Sequence, residues 1–163
     1  LDGFIAGEGN DLAWLEPYNG DSQEETGYGA LMASADLLLM GRNSYETVLG
    51  FPEWPYGDKP VTVLTHRPAT PRAHVSFRQG ALAQVLSELW QEGARHLYLD
   101  GGEVVRQGLQ AGLVDELTLF WVPVVLGKGV SLFGGEPLPE RLVPLSTAVL
   151  ASGLVRVIYR PAP

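Results

Sequence analysis

The chain has 163 residues and a mass of 17.6 kDa, the size of one ordinary domain with room for a real core. Hydrophobic residues make up 45% and charged residues 18%, which excludes global disorder, and the absence of cysteine excludes disulfides, thiolate-bound metals and thiol nucleophiles. Eleven basic residues against nineteen acidic ones give a net charge of −8, the wrong sign for a nucleic-acid binder.

No apolar run approaches the roughly 18 residues that a membrane helix needs. No signal peptide and no asparagine glycosylation triplet is visible, which fits a cytoplasmic protein. We see no internal repeat and no linker, so the expectation is a single domain over 1–163.

In chain order, residues 1–7 read as the end of a strand running into a loop, and 8–21 as loop. Ser22 to Ala35 reads as a helix opened by a Ser22/Glu25 capping box, weakened by Gly27 and Gly29. Leu37 to Met40 is an apolar run typical of a strand buried on both faces. Asn43 to Leu49 is a short helix. Val61 to Thr65 is a strand, and His74 to Phe77 alternates like one. Ala81 to Gln91 is amphipathic, with Leu82, Val85, Leu86 and Leu89 on one face. Leu97 to Leu99 is a strand, and Gly101-Gly102 opens a helix through about Gln110. Leu117 to Val124, Leu145 to Leu150 and Leu154 to Tyr159 are strands, the last two flanking a Ser152-Gly153 turn. Strand and helix alternate in the middle, and strands follow one another at the end. The class is α/β, with a mostly parallel sheet and antiparallel C-terminal strands.

Ligands of such sheets bind outside the carboxyl ends of the strands, and three of those ends carry unusual residues. Gly41-Arg42-Asn43-Ser44-Tyr45 puts a guanidinium at a helix start, where free N–H groups favour an anion. The alternative there is ordinary capping by Asn43 or Ser44. Leu64-Thr65-His66-Arg67 ends a strand in three groups able to donate to phosphate; the alternative is a polar turn before Pro68. Asp100-Gly101-Gly102-Glu103-Val104 allows close approach of a diphosphate to a helix N-terminus. From Arg42 to Arg78 five basic residues face three acidic ones, a +2 island in a chain whose remainder is −10. One extended ligand with two or more phosphate groups accounts for all three ends. His66, His74 and His96 lack metal-ligand spacing, and no metal is expected.

These motifs coincide with a known family. Leu1-Asp2-Gly3-Phe4-Ile5-Ala6-Gly7, Asp11-Leu12-Ala13-Trp14-Leu15, Leu39 to Glu46, Asp100-Gly101-Gly102, Gly112 to Leu117 and Pro123 to Gly129 together resemble the dihydrofolate reductase-like superfamily. The likeness is to the bacterial branch related to the reductase domain of riboflavin biosynthesis. Ser44 stands where that branch usually has threonine, and the branch's strand ahead of the opening loop is not among these residues.

The resemblance implies a three-layer reductase-like domain that binds NADPH across the sheet. By motif match, Gly41, Arg42, Asn43 and Ser44 would meet the phosphates. Leu64, Thr65, His66 and Arg67 would sit at the adenosine 2′-phosphate, and Gly101, Gly102, Glu103 and Val104 would wrap the diphosphate. Ile5 and Ala6 would line the nicotinamide. Glu103 departs from the usual small residue, so its carboxylate must point away. The substrate implied is a small pyrimidine- or pterin-like heterocycle or a carbonyl, with no flavin needed. Asp100, Asp2 and Tyr45 are the candidates to handle a proton. Their alternatives are helix capping, turn stabilisation and packing respectively. Folate enzymes carry an acid soon after the tryptophan segment, where this chain has Asn19 and then Asp21. That difference keeps a second reading open, a nucleotide-binding or sensing protein that has lost catalysis. The resemblance also implies a homodimer through the late strands, and neither nucleic acid nor membrane as partner.

Overall fold

The computed structural model describes residues 1–18, 20–135, 137 and 141–162, and for Gln23 only the backbone. Its contacts divide the chain into two compact units, Leu31–Gly108 and Leu1–Ala30 with Leu109–Pro163.

The unit Leu31–Gly108 is built on the apolar run expected to be buried on both faces. Strand β2 (Leu37–Gly41) lies inside a four-stranded sheet with β3 (Val61–Leu64), β4 (Val75–Arg78) and β5 (Leu97–Asp100), in the order β4-β3-β2-β5. All three pairings are parallel, with Met40 beside Val63 on one side and beside Asp100 on the other. Side chains alternate along each strand, so the two faces collect different partners. Leu38, Met40, Val61 and Val63 pack with Tyr45, Val48 and Tyr56. Leu39 on the opposite face packs with Leu82, Val85, Leu89 and Val104. Helix α3 (Arg42–Leu49) therefore covers one face, and α4 (Leu82–Gln91) with the start of α5 (Gly102–Gln110) covers the other. Leu38, Leu39 and Met40 have no solvent exposure, and each contributes on the order of 2 kcal/mol by burial.

This layering fixes where a ligand would enter. From β2 the chain crosses through α3 to β3, and from β4 it returns through α4 to β5 on the far side of β2. Right-handed crossovers in opposite directions put their helices on opposite faces. The carboxyl ends of β2 and β5 are thus neighbours whose following helices diverge, which opens a crevice between them.

The unit Leu1–Ala30 with Leu109–Pro163 is antiparallel. Strand β6 (Leu117–Trp121), β8 (Leu142–Val149) and β9 (Val155–Pro161) form a sheet in the order β6-β9-β8, with a bulge in β8 between Pro144 and Ser146. Strand β1 (Phe4–Ala6) pairs antiparallel with β7 (Val130–Ser131). Trp14, Leu15 and Tyr18 pack against Val122, Leu150 and Leu154. The Asp21 carboxylate accepts from the Ser152 N–H at 3.0 Å and from its hydroxyl, pinning the turn between β8 and β9.

The structure departs from the expectations in several places, beginning with residues 8–21, read as loop, which hold short 3-10 helices at Glu8–Asn10 and Ala13–Tyr18. The helix expected over Ser22 to Ala35 is two, α1 (Gln23–Thr26) and α2 (Tyr28–Ser34). The capping box forms as read, but Gly27 takes φ 77° and closes α1 with a bond to the Glu24 carbonyl. The strand expected to reach Val124 stops at Trp121, ahead of Pro123, which has no N–H for a ladder. The two-residue strand β7 has no periodicity to read and was not expected.

Candidate nucleotide site at the sheet's carboxyl edge

Helices α3 and α5 both begin at the crevice, and both begin after glycine. Gly41 is the N-cap of α3 and makes no side-chain capping bond. The carbonyl of Gly101 accepts the first bond of α5, from the Val105 N–H at 3.0 Å. A glycine has no side chain to satisfy the first-turn N–H groups, so neither start is capped by its own N-cap residue. The capping alternative for Asn43 and Ser44 is thereby set aside, since both lie inside α3. The two starts also touch. Gly101 takes φ 88°, and a Cβ there would overlap Ser44 Oγ. Gly101 is required by that close approach, a role the sequence reading had given to a ligand. At Gly41 a Cβ would meet Val104 Cγ2 at an ordinary 3.6 Å.

Arg42 solves the problem of a cation at the positive end of a helix by folding back. Its Nε donates to Glu46 Oε1 at 2.6 Å and its Nη1 to the Pro68 carbonyl at 2.5 Å. The guanidinium therefore braces the turn after β3 against α3. That turn is held from within. Thr65 Oγ1 donates to the Arg67 carbonyl at 2.9 Å and accepts from the Arg67 N–H at 3.2 Å. Thr65 is buried, so its hydroxyl shapes the loop, while His66 and Arg67 stand exposed on it. Leu64, half-buried, pairs with Gly41 across the ladder. Glu103 points along its own helix, its carboxylate accepting from Gln107 at 2.8 Å and from Arg106. The Gln107 amide and then the Arg106 guanidinium hold its carboxyl below the usual range. The expectation that it turns away from the helix start fits this geometry.

Among the proton-handling candidates the geometry separates three cases. Tyr45 is fully buried, edge-on to Trp54 and Phe77 at 6.1 and 5.6 Å, and donates its hydroxyl to the Thr70 carbonyl at 2.6 Å. It is a core residue, a correction to its candidacy. Asp2 lies in the other unit, where Oδ2 accepts from the Gly127 N–H at 2.7 Å. That bond holds its carboxyl low, which suits a turn and not an acid. Asp100 at the end of β5 accepts at Oδ2 from the Tyr56 hydroxyl at 2.8 Å. Burial pushes its carboxyl up, opposed by Tyr56 and by the Gly101 N–H. Of the two carboxyls, Asp100 is the one whose environment favours holding a proton.

Ile5 and Ala6 lie on β1 in the other unit, Ala6 buried and Ile5 half-buried. Asn19 falls outside the described residues, and Asp21 is occupied by Ser152. The sequence reading missed Tyr56 altogether. It lies 44 residues from Asp100, and no local pattern links them. Trp54 lies 5.1 Å from Tyr56 and edge-on to it. No cluster of three metal-ligating side chains occurs among the described residues, and no helix among them is long and apolar enough to cross a membrane.

Comparison with known proteins agrees with this architecture. A putative riboflavin biosynthesis protein from Shewanella sp. PV-4 superposes with a TM-score of 0.88 at 34% identity, covering 100% of this chain and 94% of the other. The uncharacterized protein YwjB of Bacillus subtilis (strain 168) is 33% identical over 136 residues, 82% of this chain and 77% of that protein. A deaminase/reductase from Thermotoga maritima shares the fold at a TM-score of 0.73 and 17% identity, with this chain covering 54% of it. The fold is the dihydrofolate reductase-like one. The family model described as the RibD C-terminal domain matches residues 1–156, and the chain belongs to that family.

Proposed function

We propose that the protein is an NADPH-dependent reductase of a small heterocyclic or carbonyl substrate. One observation carries the reading. Two helix starts that follow glycines and one exposed cationic turn share the carboxyl edge of a single parallel sheet. A ligand with a diphosphate and a further phosphate matches that donor set. Backbone N–H groups of α3 and α5 would hold the diphosphate. His66 and Arg67 would take the 2′-phosphate, and Arg42 would keep their turn in place while adding positive charge.

When bound, NADPH supplies a hydride. The chain's own contribution is orientation and a proton. Asp100 is the group for the second task, because burial favours its neutral form and a neutral carboxyl can donate. The reading keeps a homodimer through the late strands, which sedimentation of the purified protein tests directly.

The reading is tested by titrating the protein with NADPH and NADH and following tryptophan fluorescence. Tight binding that prefers NADPH is expected, and Arg42→Glu should weaken it by about tenfold or more. Equal binding of both nucleotides, or no effect of Arg42→Glu, would sink the phosphate assignment. Binding without turnover on pyrimidines, pterins and carbonyls would instead favour a nucleotide sensor.

A further inference from the structure

Asp100 ends β5 beside Met40, which is apolar and fully buried. Its polar partners are the Tyr56 hydroxyl, which reaches in from the segment between α3 and β3, and the N–H of Gly101. Among the described residues no charged side chain pairs with it. The Tyr56 ring is itself fixed. It is buried in the cluster of Leu38, Met40 and Tyr45, with Trp54 edge-on, and the Arg72 guanidinium lies over the Trp54 ring at 4.5 Å. The titratable groups packed in or over the same cluster include Tyr45, whose hydroxyl is bound to Thr70, Tyr98 on β5 itself, and Arg72, which has Trp54 beneath it.

We propose that Tyr56 is the positioning residue for Asp100. Its hydroxyl holds the carboxyl at the crevice and decides when that carboxyl carries a proton. The inference rests on the role given above to Asp100. The physical reason is an asymmetry. A phenol O–H donated to a carboxylate stabilises the ionised form, while burial stabilises the neutral one. Among the described residues Tyr56 is the one side chain that opposes burial at Asp100, so it keeps Asp100 able to give up its proton as well as hold it. An acid that could not ionise would be of no use in turnover.

The test needs no ligand, so its outcome is separate from that of the nucleotide titration. Stability would be measured from pH 3 to pH 9 for the wild type, Tyr56→Phe, Asp100→Asn and the double variant. The Asp100 carboxyl would be followed by carbon-13 NMR, assigned by its loss in Asp100→Asn. The expected result is that Tyr56→Phe lowers the Asp100 acid constant by roughly tenfold. The cost of Tyr56→Phe should grow as pH rises and Asp100 ionises, and should not vary with pH when Asp100 is Asn. A purely structural tyrosine would cost the same at every pH and leave the Asp100 titration unmoved, and that result would overturn the proposal.

Discussion

The two ends of the parallel sheet hold an aspartate each, and they are treated in opposite ways. Asp36, just ahead of β2 at the amino edge, accepts from the N–H groups of Arg95 and His96 at 2.7 and 2.8 Å. Those two bonds, His96 first, hold its carboxyl below the usual range. Asp100 at the carboxyl edge is pushed the other way by burial. The amino edge spends its carboxylate on joining two segments of chain. The carboxyl edge keeps one in a state that costs stability, which is the usual signature of a group retained for chemistry.

The largest effect that sharpens this contrast should come from Gly101→Ala. Its Cβ would need φ 88° and would overlap Ser44 Oγ, so the two helix starts would be driven apart. We expect a loss of about 2–4 kcal/mol in thermal or denaturant unfolding, with nucleotide affinity falling too. Asp36→Ala should destabilise less, and only where Asp36 is charged. Its folded-state value is depressed, so its contribution is present above the ordinary aspartate range and is lost as pH falls through the folded value. A cost of Asp36→Ala that persists unchanged at acid pH would break the comparison.

Asp100→Asn should do the reverse at neutral pH and raise Tm by a few degrees. The folded value of Asp100 is raised, so its favourable contribution is complete below the ordinary aspartate range and disappears as pH climbs through the folded value. An uncharged asparagine carries no such cost, while turnover should fall. A variant that is no more stable at pH 8 than the wild type would show that the carboxyl edge carries no such cost. The smallest effect is expected from Glu103→Gln. Its charge is directed along α5, so NADPH affinity should improve by less than about threefold at low salt, a gain that titration in high salt should erase.

Much of the sheet was legible because burial on both faces leaves a continuous apolar run. Leu37 to Met40 announced β2 within one residue of its observed end, and the leucine and valine spacing announced α4. The strand ends carrying Gly41, Thr65 and Gly101 could be read for the same reason, since a change from apolar to polar residues marks where a strand leaves the core. What the sequence hid was long-range. The Tyr56–Asp100 bond, the Arg42 brace to Pro68 and the contact of Ser44 with Gly101 each join residues on different elements. Periodicity reports which face a residue lies on, not which residue meets it there. Tyr45 shows the converse. Its neighbours Arg42 and Ser44 marked it as a site residue, but the helix turns it into the core.

The bulge in β8 bears on how copies of this chain can meet. Strand β8 is an outer strand of its three-stranded sheet, and an unpaired outer strand invites another strand to extend the ladder. Pro144 has no N–H to offer a newcomer, and the bulge after it adds local twist. The exposed Leu145 and Val149 are therefore set in a strand that resists zipping into fibrils through its backbone. Association on this side is thereby steered from backbone pairing towards the packing of side-chain faces, a mode that closes as a pair where the same patch meets itself.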